Sequence, residues 1–374
     1  MNSTSSRRDF LAAGLALPVG QAPGLPPREV RYRTLGKTGL KVSTLGFGCM
    51  LTSDSSVLQR AADLGVNFFD TARVYQGGNN ERMVGAALKS RRKSLFIVSK
   101  TLASNKRGAL EDLETSLREL STDYLDIWHL HDKSSAHEIT GELVEAQQQA
   151  KQQGKIRFAG VSLHGGHKEL IPALIRNGRL DVLLVSYNFA METNVDSLIQ
   201  AAHQAGLGVV AMKVMAGSFP YDSSYDRAQS TLRRSGAMRA ALKWVLKNTA
   251  VHTAIPSMID RDQLEENFAA LSVPFNEADR KLLAAQLERI RPLYCRMCGH
   301  CEGACPQGLP VAGLLRYLTY AEGYGQFALG RQHFLGLPAT VTQVRCDRCP
   351  SCSVRCPNGV QVAARLSRAQ ELFA

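Results

Sequence analysis

Eight cysteines near the end of the chain fall into two runs that share one spacing. The runs are CRMCGHCEGACP at residues 295–306 and CDRCPSCSVRCP at residues 346–357. Each reads C-x2-C-x2-C-x3-C-P, a spacing that holds four-iron, four-sulfur clusters because closely placed soft thiolates can wrap one cubane. The predicted metal ligands are Cys295, Cys298, Cys301, Cys305, Cys346, Cys349, Cys352 and Cys356. We therefore expect two [4Fe-4S] clusters that transfer single electrons.

Structural zinc is the competing interpretation of these cysteines. Zinc sites usually bring two C-x2-C pairs, or cysteines with histidines, to one tetrahedral centre, and two complete four-cysteine runs fit that pattern poorly. Only Cys49 lies outside the runs, which argues against a dispersed disulfide framework. Residues 291–374 also contain nine arginines, no lysine and four acidic residues. These cations could offset the negative charge of the clusters or form a docking face for an acidic electron-carrier protein.

A second set of reactive residues follows three apolar segments upstream, NFFDTARVY, FIVSK and YLDIWHLH. They place Asp70, Tyr75, Lys100 and His131 at or after the ends of predicted strands. Hydride attack on a carbonyl builds negative charge on oxygen, which must be protonated or stabilised as it forms. Tyrosine is a weak acid at neutral pH, and a neighbouring ammonium such as Lys100 is expected to lower its pKa. Asp70 can pair with Lys100, and His131 can donate a hydrogen bond to the substrate oxygen.

Such residues meet only if their strands are parallel neighbours. Short apolar runs alternate with helical patterns such as ALEDLETSLREL and GELVEAQQQAKQQG. The predicted strands are Thr44–Gly48, Val66–Phe69, Leu95–Lys100, Tyr124–His129, Ile156–Val161, Asp181–Val185, Leu207–Met212 and Val251–Ile255. Eight strand-then-helix units are typical of a (β/α)8 barrel, an α/β fold whose reactive residues collect at the carboxyl ends of the strands. A doubly wound open sheet is the alternative, but no GxGxxG follows the first strand.

These segments resemble the aldo/keto reductase superfamily. VRYRTLGKTGLKVSTLGFGCM, NFFDTARVY, FIVSKT, YLDIWHLH, GKIRFAGVS and ALKWVLKN occur in order over most of residues 30–290. The resemblance implies a catalytic tetrad at Asp70, Tyr75, Lys100 and His131. It favours His131 over His129 because family members place the histidine five residues after the aspartate of the YLD-type segment, here Asp126.

The same resemblance implies a nicotinamide cofactor, NAD or NADP, held after strands five, seven and eight. Ser162, Glu266 and Asn267 match positions that hold the nucleotide in the family. Lys213, Gly217 and Ser257 are further candidate contacts. Lys213 could contact a phosphate, and Gly217 would let the backbone approach it. The family pattern IPKS…R…EN reads IPSM…Q…EN here, with Ser257 and Gln263 in place of basic residues, so selectivity for NADP over NAD stays open.

The cysteine tail resembles bacterial two-cluster ferredoxins, and a subset of aldo/keto reductases carries such a C-terminal domain. In those ferredoxins the fourth cysteine of each run ligates the other cluster. The implied ligand sets are Cys295, Cys298, Cys301 and Cys356 for one cluster, and Cys346, Cys349, Cys352 and Cys305 for the other. The spacer between the runs is longer than usual and carries the predicted helix VAGLLRYLTYAEGYG.

The N-terminal segment resembles a twin-arginine export signal. Arg7 and Arg8 are followed by Asp9 and then by an uncharged, weakly apolar stretch that ends at Val19. A disordered basic leader is the alternative. Because the twin-arginine route carries folded proteins with their cofactors, we expect a periplasmic location, or a cytoplasmic one if the signal is not functional. No apolar run reaches the 18 or so residues of a membrane helix, so no stable membrane span is expected.

The sequence thus predicts three segments. Residues 1–29 form the signal and linker, residues 30–290 the aldo/keto reductase (β/α)8 barrel, and residues 291–374 the ferredoxin-like 4Fe-4S domain. The predicted function is an oxidoreductase that acts on a small carbonyl or alcohol substrate. The alternative is an electron-transfer protein in which the barrel is a scaffold without nicotinamide-dependent turnover. The net charge of +12 suggests acidic partners, and we expect no nucleic-acid partner.

Overall fold

Eight parallel strands form a barrel and follow one another around it in chain order. They are β3 (Phe47–Gly48), β4 (Phe68–Asp70), β5 (Phe96–Thr101), β6 (Leu125–Lys133), β7 (Ile156–Leu163), β8 (Val182–Ser186), β9 (Gly208–Met212) and β10 (Thr253–Ala254). This computed structural model describes residues 30–191, 194–217 and 235–374, so the predicted export signal lies outside the described residues. All eight predicted strands are present, and β6 extends furthest past its predicted end, to Lys133. The predicted barrel is confirmed.

Hydrogen bonds between the two ends of the sheet close the barrel. The amide of Gly46 donates to the carbonyl of Ala254 at 2.9 Å, and that of Gly48 donates to the carbonyl of Pro256 at 3.0 Å. A Cβ at Gly48 would lie 2.7 Å from the carbonyl oxygen of Ile255. Glycine is therefore needed there for the close approach of the two backbones.

An antiparallel hairpin that was not predicted precedes the barrel. Its strands are β1 (Tyr32–Thr34) and β2 (Lys41–Ser43), and the turn between them contains Gly36 at φ +49° and Gly39 at φ +73°. Leu35, Leu40 and Val42 of the hairpin share one apolar cluster with inward residues of the barrel strands. The hairpin therefore closes the barrel at the end away from the strand carboxyl ends. Its sequence signal was the pair of glycines between two short alternating segments.

Helices cover the outer face of the barrel strands and bury its larger apolar core. They are α1 (Ser55–Asp63), α2 (Asn79–Leu88), α3 (Lys106–Glu119), α4 (Gly141–Gln152), α5 (His167–Asn177), α6 (Asn194–Gln204), α7 (Ala237–Leu246), α8 (Arg261–Leu271) and α9 (Glu277–Ile290). Several begin at a side-chain cap: Asn105 accepts the amide of Gly108 at 2.9 Å, and Asp260 accepts that of Gln263 at 2.7 Å. Such caps satisfy amides that have no partner within the helix.

The C-terminal region forms a second apolar core of its own, to which its helices contribute. Its helices are α10 (Val311–Leu318), α11 (Phe327–Leu335), the short α12 (Ala339–Thr342) and α13 (Val362–Phe373). The predicted helix in the spacer is regular only to Leu318 and continues as a wider helical turn over Thr319–Gly323. Within the described residues, no helix has both the length and the apolarity needed to cross a membrane.

Candidate active site

The tetrad predicted from the sequence comes together at the carboxyl ends of three neighbouring strands. Asp70 ends β4, Lys100 lies in β5 and His131 in β6, while Tyr75 begins the turn after β4. Alternate residues of a strand point to the same face, so Asp70, Lys100 and His131 all point into the barrel mouth. The register pairs Asp70 with Val98 and Lys100 with His129, which aligns the three strand ends.

The Lys100 ammonium links three groups on the floor of the pocket. It donates to Oδ1 of Asp70 and to the carbonyl of Thr71, both at 2.5 Å, and to the hydroxyl of Tyr75 at 3.4 Å. Lys100 and Asp70 are almost fully buried, at 1% and 3% exposure. Burial raises the pKa of Asp70 and the charge of Lys100 opposes that rise; the ion pair holds the lysine against the tyrosine.

The expected lowering of the Tyr75 pKa by Lys100 is wrong. Burial raises the pKa of Tyr75 well above its usual range, and the charges of Asp70, Cys49 and Asp132 add to the effect. The physical reason is that Asp70 neutralises Lys100, so the ammonium cannot offset the cost of burying a phenolate. The Tyr75 hydroxyl is therefore protonated at neutral pH, which suits a proton donor to a carbonyl oxygen.

Of the two candidate histidines, His131 faces the pocket and His129 lies beneath it. The His131 ring meets the Tyr75 ring edge-on at 6.0 Å between centroids, whereas His129 is completely buried. A Cβ on Gly160 would come within 2.3 Å of the His129 ring, so this glycine makes room for the lower histidine. Burial, followed by Lys100, lowers the pKa of His131 well below its usual range. His131 is thus a neutral ring that can donate one hydrogen bond.

One continuous pocket joins the tetrad to most of the residues expected to hold a nucleotide. Its lining includes Asp70, Tyr75, His131, Lys213, Gly217, Ser257, Glu266 and Asn267. The remaining expected contact, Ser162, does not line it; its hydroxyl is buried and accepts the amide of Asp132 at 2.9 Å. The rest of the lining is largely apolar and rich in methionine, including Met50, Met212, Met215 and Met238.

The C-terminal domain contributes the opposite wall of this pocket, which the sequence did not predict. Tyr320 and Tyr324 come from the turn after α10, and Leu329 and His333 come from α11. Arg316 of α10 forms a buried ion pair with Asp132, the residue after His131. An arginine within the apolar helix VAGLLRYL was the only sequence signal for this contact.

A third histidine, His164, was also missed. Its ring lies 5.7 Å from that of His131, and its Nδ1 lies 3.6 Å from Oδ1 of Asp132. Burial lowers the pKa of His164 well below its usual range, and nearby cations, first Lys213 and then Arg316, add to the shift. Its place directly after β7 follows the same rule of polar residues at strand ends that found the tetrad, so the sequence did contain a signal.

One cysteine of the second run lies beside three cysteines of the first run. Cys295, Cys298, Cys301 and Cys356 line one cavity, and the Asn358 amide lies 3.5 Å from the sulfur of Cys298. Burial raises the pKa of Cys346 to about 11, and the thiols of Cys305, Cys349 and Cys352 contribute to that shift. Within the described residues, no three His, Cys, Asp or Glu side chains lie together as ligands of a single metal ion. Four thiols spread around one cavity fit a cubane, which spans four irons, better than one zinc ion.

Two family models match the chain in adjacent segments. Residues 51–288 match the aldo/keto reductase family, and residues 294–361 match the 4Fe-4S dicluster domain. The curated relatives include L-galactose dehydrogenase of Arabidopsis thaliana, 28% identical over 65% of this chain and 89% of the relative. They also include methylglyoxal reductase YeaE of Escherichia coli, 30% identical over 62% of this chain and 83% of the relative.

Solved structures agree with the barrel. An aldo-keto reductase from Bacillus halodurans in its holo form has a TM-score of 0.58 and 27% identity, over 69% of this chain and 96% of the other. An aldo-keto reductase from Klebsiella pneumoniae in complex with NADPH has a TM-score of 0.56 and 26% identity, over 72% of this chain and 97% of the other.

Proposed function

The chain belongs to the aldo/keto reductase family and carries a 4Fe-4S dicluster domain, and on this basis we propose how its residues work. It is an oxidoreductase, and the scaffold-only alternative is not favoured. We propose that Tyr75 is the proton donor, that Lys100 and Asp70 position it, and that His131 orients the carbonyl or alcohol oxygen of a small substrate. The observation that carries the proposal is the Lys100 ammonium, which contacts both Asp70 and the Tyr75 hydroxyl.

In the direction of carbonyl reduction, the substrate oxygen lies between the Tyr75 hydroxyl and the His131 ring. A nicotinamide held in this pocket would supply the hydride for the carbonyl carbon. The Tyr75 hydroxyl donates its proton to the oxygen as the carbon–oxygen double bond becomes single, and His131 donates a hydrogen bond to the same oxygen. Because burial raises the pKa of Tyr75, the phenolate left there takes a proton back from solvent, while Lys100 holds the oxygen in position. In alcohol oxidation the same groups act in reverse.

The nucleotide would occupy the part of the pocket formed after β9 and β10. This part of the pocket continues to the tetrad, as an extended dinucleotide would need. It is lined by Lys213, Gly217, Ser257, Glu266 and Asn267. Ser257 and Gln263 offer hydroxyl and amide groups rather than cations, so we propose no strong preference for NADP over NAD. The cysteine sets would hold two [4Fe-4S] clusters, whose single electrons an acidic carrier protein would deliver or accept at the arginine-rich domain.

We further propose that the protein is exported. Support comes from Arg7 and Arg8 ahead of an uncharged apolar stretch, and from a cofactor-loaded domain suited to export in the folded state. A dissociable nucleotide would be scarce outside the cytoplasm, so export favours tight nucleotide binding or electron delivery through the clusters. Replacing both arginines by lysine should abolish delivery to the periplasm; unchanged delivery would contradict twin-arginine transport.

The catalytic proposal is tested with Tyr75→Phe in anaerobically prepared, cluster-loaded protein. Turnover of a panel of aldehydes with NADH or NADPH should fall at least about 100-fold, the usual contribution of general acid catalysis. Tyr32→Phe is the matched control. Tyr32 lies in the hairpin, outside the pocket, and its hydroxyl donates to the carbonyl of Gly65. Retention of full turnover by Tyr75→Phe would refute the assignment.

A further inference from the structure

Lys213 lines the same pocket as the tetrad, and its amino group is buried. It directly follows β9 in a left-handed conformation, φ +57°. Its Nζ is buried and, among the described residues, has no hydrogen-bond partner. The ammonium faces the ring of Tyr320 from 5.1 Å. A buried ammonium without an anion is costly, so the charged form of Lys213 needs an anion beside its amino group.

The nearby carboxylates of the described pocket are already paired with other cations. Asp70 binds Lys100, and Asp132 binds Arg316 of the C-terminal domain. The charged groups that act most strongly on Lys213 are Arg316, Asp132 and Cys295. Glu266, the third carboxylate of the lining, is not among them. Burial, followed by the charge of Arg316, lowers the pKa of Lys213 well below its usual range, so a bound anion is what would hold this side chain in its charged form.

Both domains hold this cation in place. The Tyr320 ring contacts both Lys213 and Arg316; the guanidinium carbon of Arg316 is 5.9 Å from the ring centroid. The side-chain amide of Asn188 donates to the carbonyl of Lys213 and to the hydroxyl of Tyr294, each at 2.9 Å. Tyr294 directly precedes the first cysteine run, so the chain entering the iron–sulfur domain fixes the backbone of Lys213.

We propose that Lys213, backed by Tyr320, forms a subsite for the carboxylate of the substrate, so that the enzyme prefers carbonyl or alcohol compounds carrying an anionic group. The inference rests on the proposed function, with the reacting oxygen at Tyr75 and the carboxylate at Lys213. A nucleotide phosphate is an oxyanion of similar chemistry. We favour the substrate, in place of the nucleotide contact proposed above for Lys213, because Lys213 lines the same pocket as Tyr75 and His131, which would hold the reacting oxygen.

The test compares two aldehydes that carry a carboxylate with their uncharged methyl esters. The pairs are para-carboxybenzaldehyde and succinic semialdehyde, each against its ester, assayed with cluster-loaded protein. Lys213→Met should lower the acid-to-ester ratio of kcat/KM about 10- to 100-fold, the range expected for a hydrogen bond to a charged group. Lys281→Met, which removes an exposed lysine of α9, should leave the ratio unchanged. Tyr320→Phe, which keeps the aromatic ring, should keep the preference for acids over esters, whereas Tyr320→Leu should reduce that preference.

Calorimetric binding of benzoate and benzamide separates this inference from the proposed function. Benzoate should bind more tightly than benzamide, and Lys213→Met should erase the difference while cluster absorbance stays constant. If neither aldehyde turns over but benzoate binding depends on Lys213, the subsite stands and the proposed activity fails. If Lys213→Met lowers kcat/KM equally for acids and esters, or lowers it for neither, the subsite proposal is overturned. Weaker NADH and NADPH binding with unchanged acid preference would overturn it in favour of a phosphate contact.

Discussion

Replacing Arg316 by methionine should weaken the docking of the iron–sulfur domain on the barrel. The side chains of Arg316 and Asp132 are 9% and 14% exposed, and they form an ion pair although they lie 184 positions apart in the sequence. Removing one partner of a buried pair costs about 3–5 kcal/mol because the remaining charge loses its compensation. His164 stays 3.6 Å from the same carboxylate oxygen. We therefore expect the lower end, about 3 kcal/mol.

The chain contains suitable probes for each domain. Its only two tryptophans, Trp128 and Trp244, lie in β6 and α7 of the barrel, so their fluorescence reports barrel unfolding. Visible cluster absorbance reports the C-terminal domain. In urea, Arg316→Met should lower the midpoint of the absorbance transition well below that of the fluorescence transition, while the parent protein shows both together.

A double variant isolates the ion pair from the change in size. Arg316→Met with Asp132→Asn removes both charges and should cost only about 1 kcal/mol, because no charge remains unpaired. Arg280→Met breaks an exposed pair with Glu277 and should not shift either midpoint. If Arg316→Met costs no more than Arg280→Met, or if the double variant is no more stable than the single one, the interdomain pair does not hold the domains together.

Three further outcomes are expected. Because burial raises the pKa of Tyr75, kcat for carbonyl reduction should stay flat up to about pH 10; a decline centred below about pH 9 would contradict a protonated buried tyrosine. Cys356→Ser should halve the iron content, and adding Cys295→Ser should remove no more, whereas adding Cys346→Ser should remove nearly all; the opposite order would show that the runs do not exchange ligands. A glycine-to-alanine change usually stabilises a helix, but Gly85→Ala should lower the free energy of unfolding in urea by about 1–3 kcal/mol, because its Cβ would meet a backbone carbonyl oxygen at 2.5 Å. A gain in stability would contradict this contact.

The barrel and the tetrad were predictable because both depend on local periodicity. Alternation along a strand determines which side chains share a face, and parallel neighbours align their carboxyl ends, so Asp70, Lys100 and His131 had to meet once the strands were recognised. The hairpin before the barrel was missed because its strands have three residues each. The direction of the Tyr75 pKa shift was wrong because the sequence identifies neighbouring charges but gives no measure of burial.

The iron–sulfur cysteines were also determined by the sequence, since their ligand chemistry depends on short spacings within each run. The wall that Arg316, Tyr320 and His333 build over the barrel mouth was decided only by the tertiary structure. These residues reach Asp132 and Lys213 across more than a hundred positions, and such contacts depend on the shape and charge of two whole surfaces. Sequence by itself thus determined the reactive groups of each domain. Their union in one pocket, with Lys213 buried between them, follows from how the two domains pack.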